Sequence, residues 1–153
     1  MSTDTNLAVK QNLETAIADF LRSSITAGSA LEGTHISTRC QNAKLSFPRV
    51  VVDVVRAPAQ EDVNDLYMAE VNIYVATAVD EPSSRDKIRA RVGYIEETVG
   101  ANEGAALITA TSSGSYSIVI HKVYLTDNYG EQVGEHWVDV IVLLVPVQMK
   151  NAS

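Results

Sequence analysis

The chain predicts an α+β domain: an antiparallel or mixed sheet of two β-hairpins, with an N-terminal helix and a central helix packed on it. Three observations carry the prediction: a valine-rich closing strand, two apolar stripes at helical spacing, and an element order of helix, strand, strand, helix, strand, strand. The closing strand spans Glu135 to Val147. Nine of the eleven residues from Trp137 to Val147 are apolar and five of those are valine, whose branched Cβ favours extended backbone. Beyond Asp139 the alternation of apolar and polar stops. Val140, Val142 and Leu144 point to one face while Ile141, Leu143 and Val145 point to the other, so both faces of this strand ask for cover. That second cover is either a helix of the same chain or a neighbouring subunit.

The remaining elements follow in order. Asp4 or Thr5 caps a first helix whose apolar positions Leu13, Ile17, Phe20, Leu21 and Ile25 recur every three or four residues, and Ala27-Gly28 stops it. The stretch from Gly28 to Ser46 is small and polar, with a short strand predicted at Thr34 to Arg39. Pro48 leads into Arg49 to Arg56, which is β-branched enough to be a strand. An acidic loop from Ala57 to Asp65 joins it to a strand from Leu66 to Val79, in which Val71, Ile73 and Val75 face in while Glu70 and Asn72 face out. Ser83 and Asp86 stand at capping-box spacing before a second helix with a stripe of Ile88, Val92, Ile95 and Val99. Gly100 to Gly104 ends that helix, and Ser112-Ser113-Gly114 breaks the chain again. A strand from Tyr116 to Leu125 then turns back at Asp127 to Glu131 into the closing strand.

With 153 residues and 46% hydrophobic content, residues 1–153 read as one globular domain. The sequence has no apolar stretch near the ~20 residues that span a bilayer, and the start has no signal-peptide pattern, so synthesis in the cytoplasm and no membrane partner are expected. Cys40 is the only cysteine, which rules out an internal disulfide. The net charge of −7 and the absence of a basic stripe argue against specific nucleic-acid binding, although an acidic surface lets DNA pass without sticking.

No catalytic or cofactor signature stands out. His35, His121 and His136 lie far apart and show no metal-ligand spacing with Cys40. There is no nucleophile elbow, and Gly100 to Gly104 carries an acid where a phosphate would sit. The Asp127 to Glu131 turn has too few oxygens for a calcium loop. Glu96-Glu97 and Glu61-Asp62 are adjacent acids of the kind that face solvent. The expectation is a protein without catalytic residues, metal or cofactor.

One charge pattern departs from what an isolated helix prefers. Arg85, Lys87, Arg89 and Arg91 crowd the first half of the second helix, with Glu96 and Glu97 at its end, against a dipole that favours the reverse by roughly 0.3–1 kcal/mol per exposed charge. Arg85 and Arg89, four residues apart, also repel. Arg85, Arg89 and Arg91 are therefore expected to meet Glu61, Asp62 and Asp65 of a second copy, in the head-to-tail manner that closes rings. Gln60 and Val63 in the acidic loop, and Asn128 and Tyr129 in the second turn, are the expected contacts with other proteins.

Taken together, an amphipathic first helix, Phe47-Pro48 followed by Arg49-Val50-Val51-Val52, a strand Ala69-Glu70-Val71-Asn72-Ile73-Tyr74-Val75, a helix, and a closing hairpin ending in Trp137-Val138-Asp139-Val140-Ile141-Val142 resemble the tail terminator, or tail completion, proteins of long-tailed bacteriophages. The likeness runs from about Leu13 to Val147 and is one of element order and texture, without a signature motif. It implies a structural virion protein of the tail or neck. Such a protein forms a homo-oligomeric ring, commonly a hexamer, at the head-proximal end of the tail tube. The ring stops tube growth and joins the tube protein to the head connector. The alternatives are another neck or baseplate ring, such as a head-tail connector or stopper, and a small ligand-binding α+β domain.

Overall fold

The computed structural model describes residues 3–38, 48–59, 66–78, 84–114, 116–133 and 136–149. The fold is α+β. Its helices are α1 (Thr3–Ser23), α2 (Ser84–Gly100) and α3 (Ala105–Ser113). Its strands are β1 (His35–Thr38), β2 (Arg49–Arg56), β3 (Leu66–Ala78), β4 (Ile118–Ile120), β5 (Tyr124–Val133) and β6 (His136–Met149). The strands form one mixed sheet ordered β1-β2-β3-β6-β4, and β5 also pairs with β6. β1 runs parallel to β2; every other pairing is antiparallel.

The closing strand is the axis of this sheet. β3 lines one edge of β6 along its length, from Leu66 opposite Gln148 to Ala78 opposite His136. β5 and then β4 share the other edge. Register sets the core in rows that cross the sheet: Val54, Val71 and Leu143 in one, and Val52, Ile73 and Ile141 in the next. Each of these is buried, as are Ala69, Val145, Tyr67 and Val147 on the same face. The helices cover this face with the stripes that spacing predicts, Leu13, Ile17 and Leu21 from α1 and Ile88, Val92, Ile95 and Val99 from α2. Each fully buried aliphatic side chain of this kind stabilises the fold by roughly 1.5–3 kcal/mol.

Several boundaries differ from expectation. α1 already includes Asp4 and Thr5 and ends at Ser23, before Ala27-Gly28. Ser24 closes it by donating its hydroxyl to the Phe20 carbonyl, so Ile25 packs on the core from a loop. The span Tyr116 to Leu125 is not one strand: β4 ends at Ile120, and His121-Lys122-Val123 step across to β5. Asp127 to Glu131 is no turn either, because all five residues pair with β6. Gly130 is there for a close approach, since a Cβ on it would collide with the Asp139 carboxylate across the pair.

The third helix is an addition. α2 ends at Gly100 as its glycine predicts, but the chain re-enters helix after a single 3₁₀ turn, Ala101–Gly104. Asn102 and Glu103 hold left-handed backbone there, with φ of 53° and 57°. The strain is held in place by the segment between β4 and β5. Val123 N–H donates to the Glu103 carbonyl at 2.9 Å, Lys122 pairs with the Glu103 carboxylate at 3.2 Å, and Val123 packs where Gly104 would carry a Cβ. That knot fixes where β5 begins.

Candidate functional site

Among the described residues all three helices lie on one face of the sheet, and none covers the opposite face. Its cross-strand row of Val51, Tyr74, Val140 and Tyr129 is set by the pairing of β2, β3, β6 and β5. Val138, Val142, Leu144 and Pro146 of β6 are half-buried here, alongside Met68 and Leu66 of β3. Small residues between larger ones, such as Ala76, sink below the surface. The expected two-sided demand for cover is thus met on one side by the chain's own helices; on the other, Val140 is buried while Val138, Val142 and Leu144 stay half-buried with no described helix over them. A depression of about 320 Å³ on this face is lined by Arg56, Met68, Glu70, Val142 and Leu144 among others. Its one ion pair, Arg56 with Glu70 at 2.9 Å, is exposed and contributes little to stability.

The edges of the sheet differ from one another. At the β1–β2 edge the α1 helix supplies side chains to the strands. His35 N–H reaches the Pro48 carbonyl just before β2, so the Ile36 carbonyl one residue on points outward, and Arg22 donates to it from Nε at 3.2 Å and from a terminal nitrogen at 2.8 Å. Further along, where β1 has ended, the buried Glu14 carboxylate accepts the Val54 N–H at 2.9 Å. At the far edge β5 is exposed residue after residue from Tyr124 to Gly130. Tyr124, Leu125 and Tyr129 are 41%, 44% and 51% exposed, three of the five large apolar side chains found exposed among the described residues.

Between α2 and the β5–β6 pair lies the polar cluster formed by the basic half of α2. Arg85 stacks its guanidinium 4.5 Å from the centre of the Trp137 ring. Asp139 sits beneath Arg85 and Arg89. Its burial raises its pKa above the ordinary 3.8, and the two guanidinium charges work against that rise. Asn128 donates its amide to Glu96 at 3.1 Å, tying β5 to the end of α2. Arg91 differs from its neighbours. It is only 7% exposed and donates to the Thr77 hydroxyl at 2.6 Å, which turns it toward β3 and removes it from the basic surface that the sequence suggests.

Of the other expected contact residues, Asn128 and Tyr129 are exposed, but on a strand rather than a loop tip. Gln60, Glu61, Asp62, Val63 and Asp65 lie outside the described residues, as does Ser83 of the expected capping box. His35 is exposed on β1, and the exposed His121 shares a hydrogen bond with Gln148 at 2.6 Å. Among the described residues no group of three or more His, Cys, Asp or Glu is placed to hold a metal, and no helix is long and apolar enough to cross a membrane.

The fold has a counterpart among solved structures. A chain of the virion of a native gene transfer agent particle superposes with a TM-score of 0.60 at 13% sequence identity, over 89% of this chain and 94% of that one. At that identity the likeness is one of fold, and it covers all but a tenth of either chain. No protein-family model matches the sequence, and no curated protein sequence matches it. The sequence of β5 explains why its role is hard to read: Asp127-Asn128-Tyr129-Gly130 has the composition of a turn, while its pairing with β6 makes it an edge strand.

Proposed function

We propose that this chain is a non-enzymatic structural protein of a phage virion, a tail terminator that assembles into a ring at the head-proximal end of the tail tube. The observation that carries the reading is the helix-free sheet face. Val138, Val142, Leu144, Pro146 and Met68 remain half-exposed there, with Tyr74 and Tyr129 beside them. A face of that composition on a small domain fits burial against other protein. The fold shared with a chain of a gene transfer agent virion supports placing that protein in a particle.

In this reading the mechanism is geometric. One side of the ring matches the last layer of the tube, and the other presents a surface on which a further layer cannot grow. The net charge of −7 suits an assembly through which DNA slides without adhering. Size-exclusion chromatography with light scattering, followed by negative-stain imaging of the purified chain, tests the first half. A closed ring, expected as a hexamer, supports the proposal, and a stable single chain at high concentration overturns it. Mixing rings with growing tail tubes tests the second half: tubes that stop at a ring support termination, and rings that leave growth unaltered overturn it.

A further inference from the structure

Resting on that ring reading, the anomaly at β5 identifies how neighbouring copies meet. Among the described residues β5 pairs with another strand along one edge only, that of β6. Among the described residues no strand pairs with its outer edge, and from Tyr124 to Gly130 its residues are exposed on both faces of the sheet. Folded proteins blunt such an edge by charging it, bulging it, or laying a helix or loop against it. The one irregularity here, between Leu125 and Asp127, leaves a regular run from Asp127 to Val133.

Which surface of a second copy would cover it follows by charge and by elimination. The β5 sequence carries Asp127 and Glu131 and no base, and no Lys or Arg occurs between Tyr124 and Met149. Two β5 strands paired with each other would set acid near acid, which is destabilising. The β1–β2 edge is obstructed by Arg22 and Glu14. The exposed side of α2 offers the opposite charge, with Arg85, Lys87 and Arg89 all exposed. It also offers room. Ala90 and Gly93 lie on that exposed side, and nothing stands within 4 Å of where a Cβ on Gly93 would be. A glycine inside a helix costs roughly 0.5–1 kcal/mol relative to alanine, and no contact among the described residues asks for one at this position.

We propose that β5 of one copy is covered by the exposed side of α2 of the next, with Arg89 facing Asp127 and the Tyr129 ring seated over Gly93. The two surfaces are unlike, so the contact is head-to-tail and repeats around a ring. The purpose expected for the α2 bases is thereby kept, with β5 as the acidic partner.

The test uses the full chain in a Cys40→Ser background. Asp127→Lys and Arg89→Asp are each expected to shift the ring to single-chain mass by light scattering, and the two together in one chain to restore it. Separately purified Gly93→Cys and Tyr129→Cys chains, mixed under mild oxidation, are expected to form a disulfide-linked heterodimer. Recovery in the double variant excludes simple misfolding as the cause of the single losses. Rings that persist in both single variants, with no Gly93→Cys to Tyr129→Cys cross-link, would overturn this contact and leave the ring reading standing. A parent chain that never forms rings would overturn both.

Discussion

The two edges of one sheet are finished in opposite ways. At β1 and β2, α1 lies close enough to plug individual backbone groups, with Arg22 on the Ile36 carbonyl and Glu14 on the Val54 N–H. At β5 the tie to a helix among the described residues is the exposed amide of Asn128 on Glu96. Both edges belong to the same short domain, so the contrast is not a matter of chain length or core size. It separates the edge this sequence completes for itself from the edge that we propose a second copy covers.

The largest test of that contrast compares one truncation on each side. Leu13 is fully buried beneath β2, and Leu13→Ala is expected to cost about 2–5 kcal/mol through lost burial and the cavity left behind. Leu125→Ala, at the bare edge, is expected to stay within about 0.5 kcal/mol when chains are single. Urea denaturation at low protein concentration measures both. A Leu125→Ala loss as large as that of Leu13→Ala would mean that β5 is packed within its own chain, and the comparison would fail.

How much of this was legible beforehand depends on how locally each feature is encoded. The two apolar stripes and the valine runs fixed α1, α2, β2, β3 and β6 because burial follows periodicity, and Ile88, Val92, Ile95 and Val99 are all buried. The third helix leaves no signal in the sequence because only Leu107 and Thr111 of its nine residues are buried, too few to show a period. Asp127 to Glu131 reads as a turn because Asp, Asn and Gly ordinarily mark one. Its strand state comes from pairing with β6 across a Gly130 that makes room for Asp139. For the same reason the exposed edge could not be anticipated, and the inward turn of Arg91 toward Thr77 depends on a neighbour 14 residues away.

A finer test touches the plug itself. Glu14 is 3% exposed, and Glu14→Ala leaves the Val54 N–H buried without its acceptor, an expected loss of about 1–3 kcal/mol. Glu14→Gln keeps a side-chain oxygen for that bond and is expected to lose less. Amide hydrogen exchange at Val54 separates the two outcomes, with faster exchange expected in Glu14→Ala. If exchange at Val54 were unaltered in Glu14→Ala, the bond from α1 would not be what protects this edge.

The smallest effect concerns what holds Arg22 in place, and pH reveals it. Asp19 accepts from Arg22 at 2.9 Å and from the Tyr116 hydroxyl at 2.5 Å, so the chain just before β4 braces the residue that caps β1. Burial first, then the hydrogen bond and negative charge of Asp19, push the Tyr116 pKa from 10.0 up to about 12, with Arg22 pulling the other way. A group whose pKa is raised by folding keeps its proton better in the folded state, so its contribution is complete below pH 10 and is lost as pH rises toward 12. Tyr116→Phe is expected to cost about 0.5–1.5 kcal/mol near neutrality and to flatten the stability loss across that alkaline interval. Urea midpoints taken from pH 8 to pH 12 give the slope directly. A variant that kept the parent slope would place the alkaline transition on another group and remove Tyr116 from the bracing of this edge.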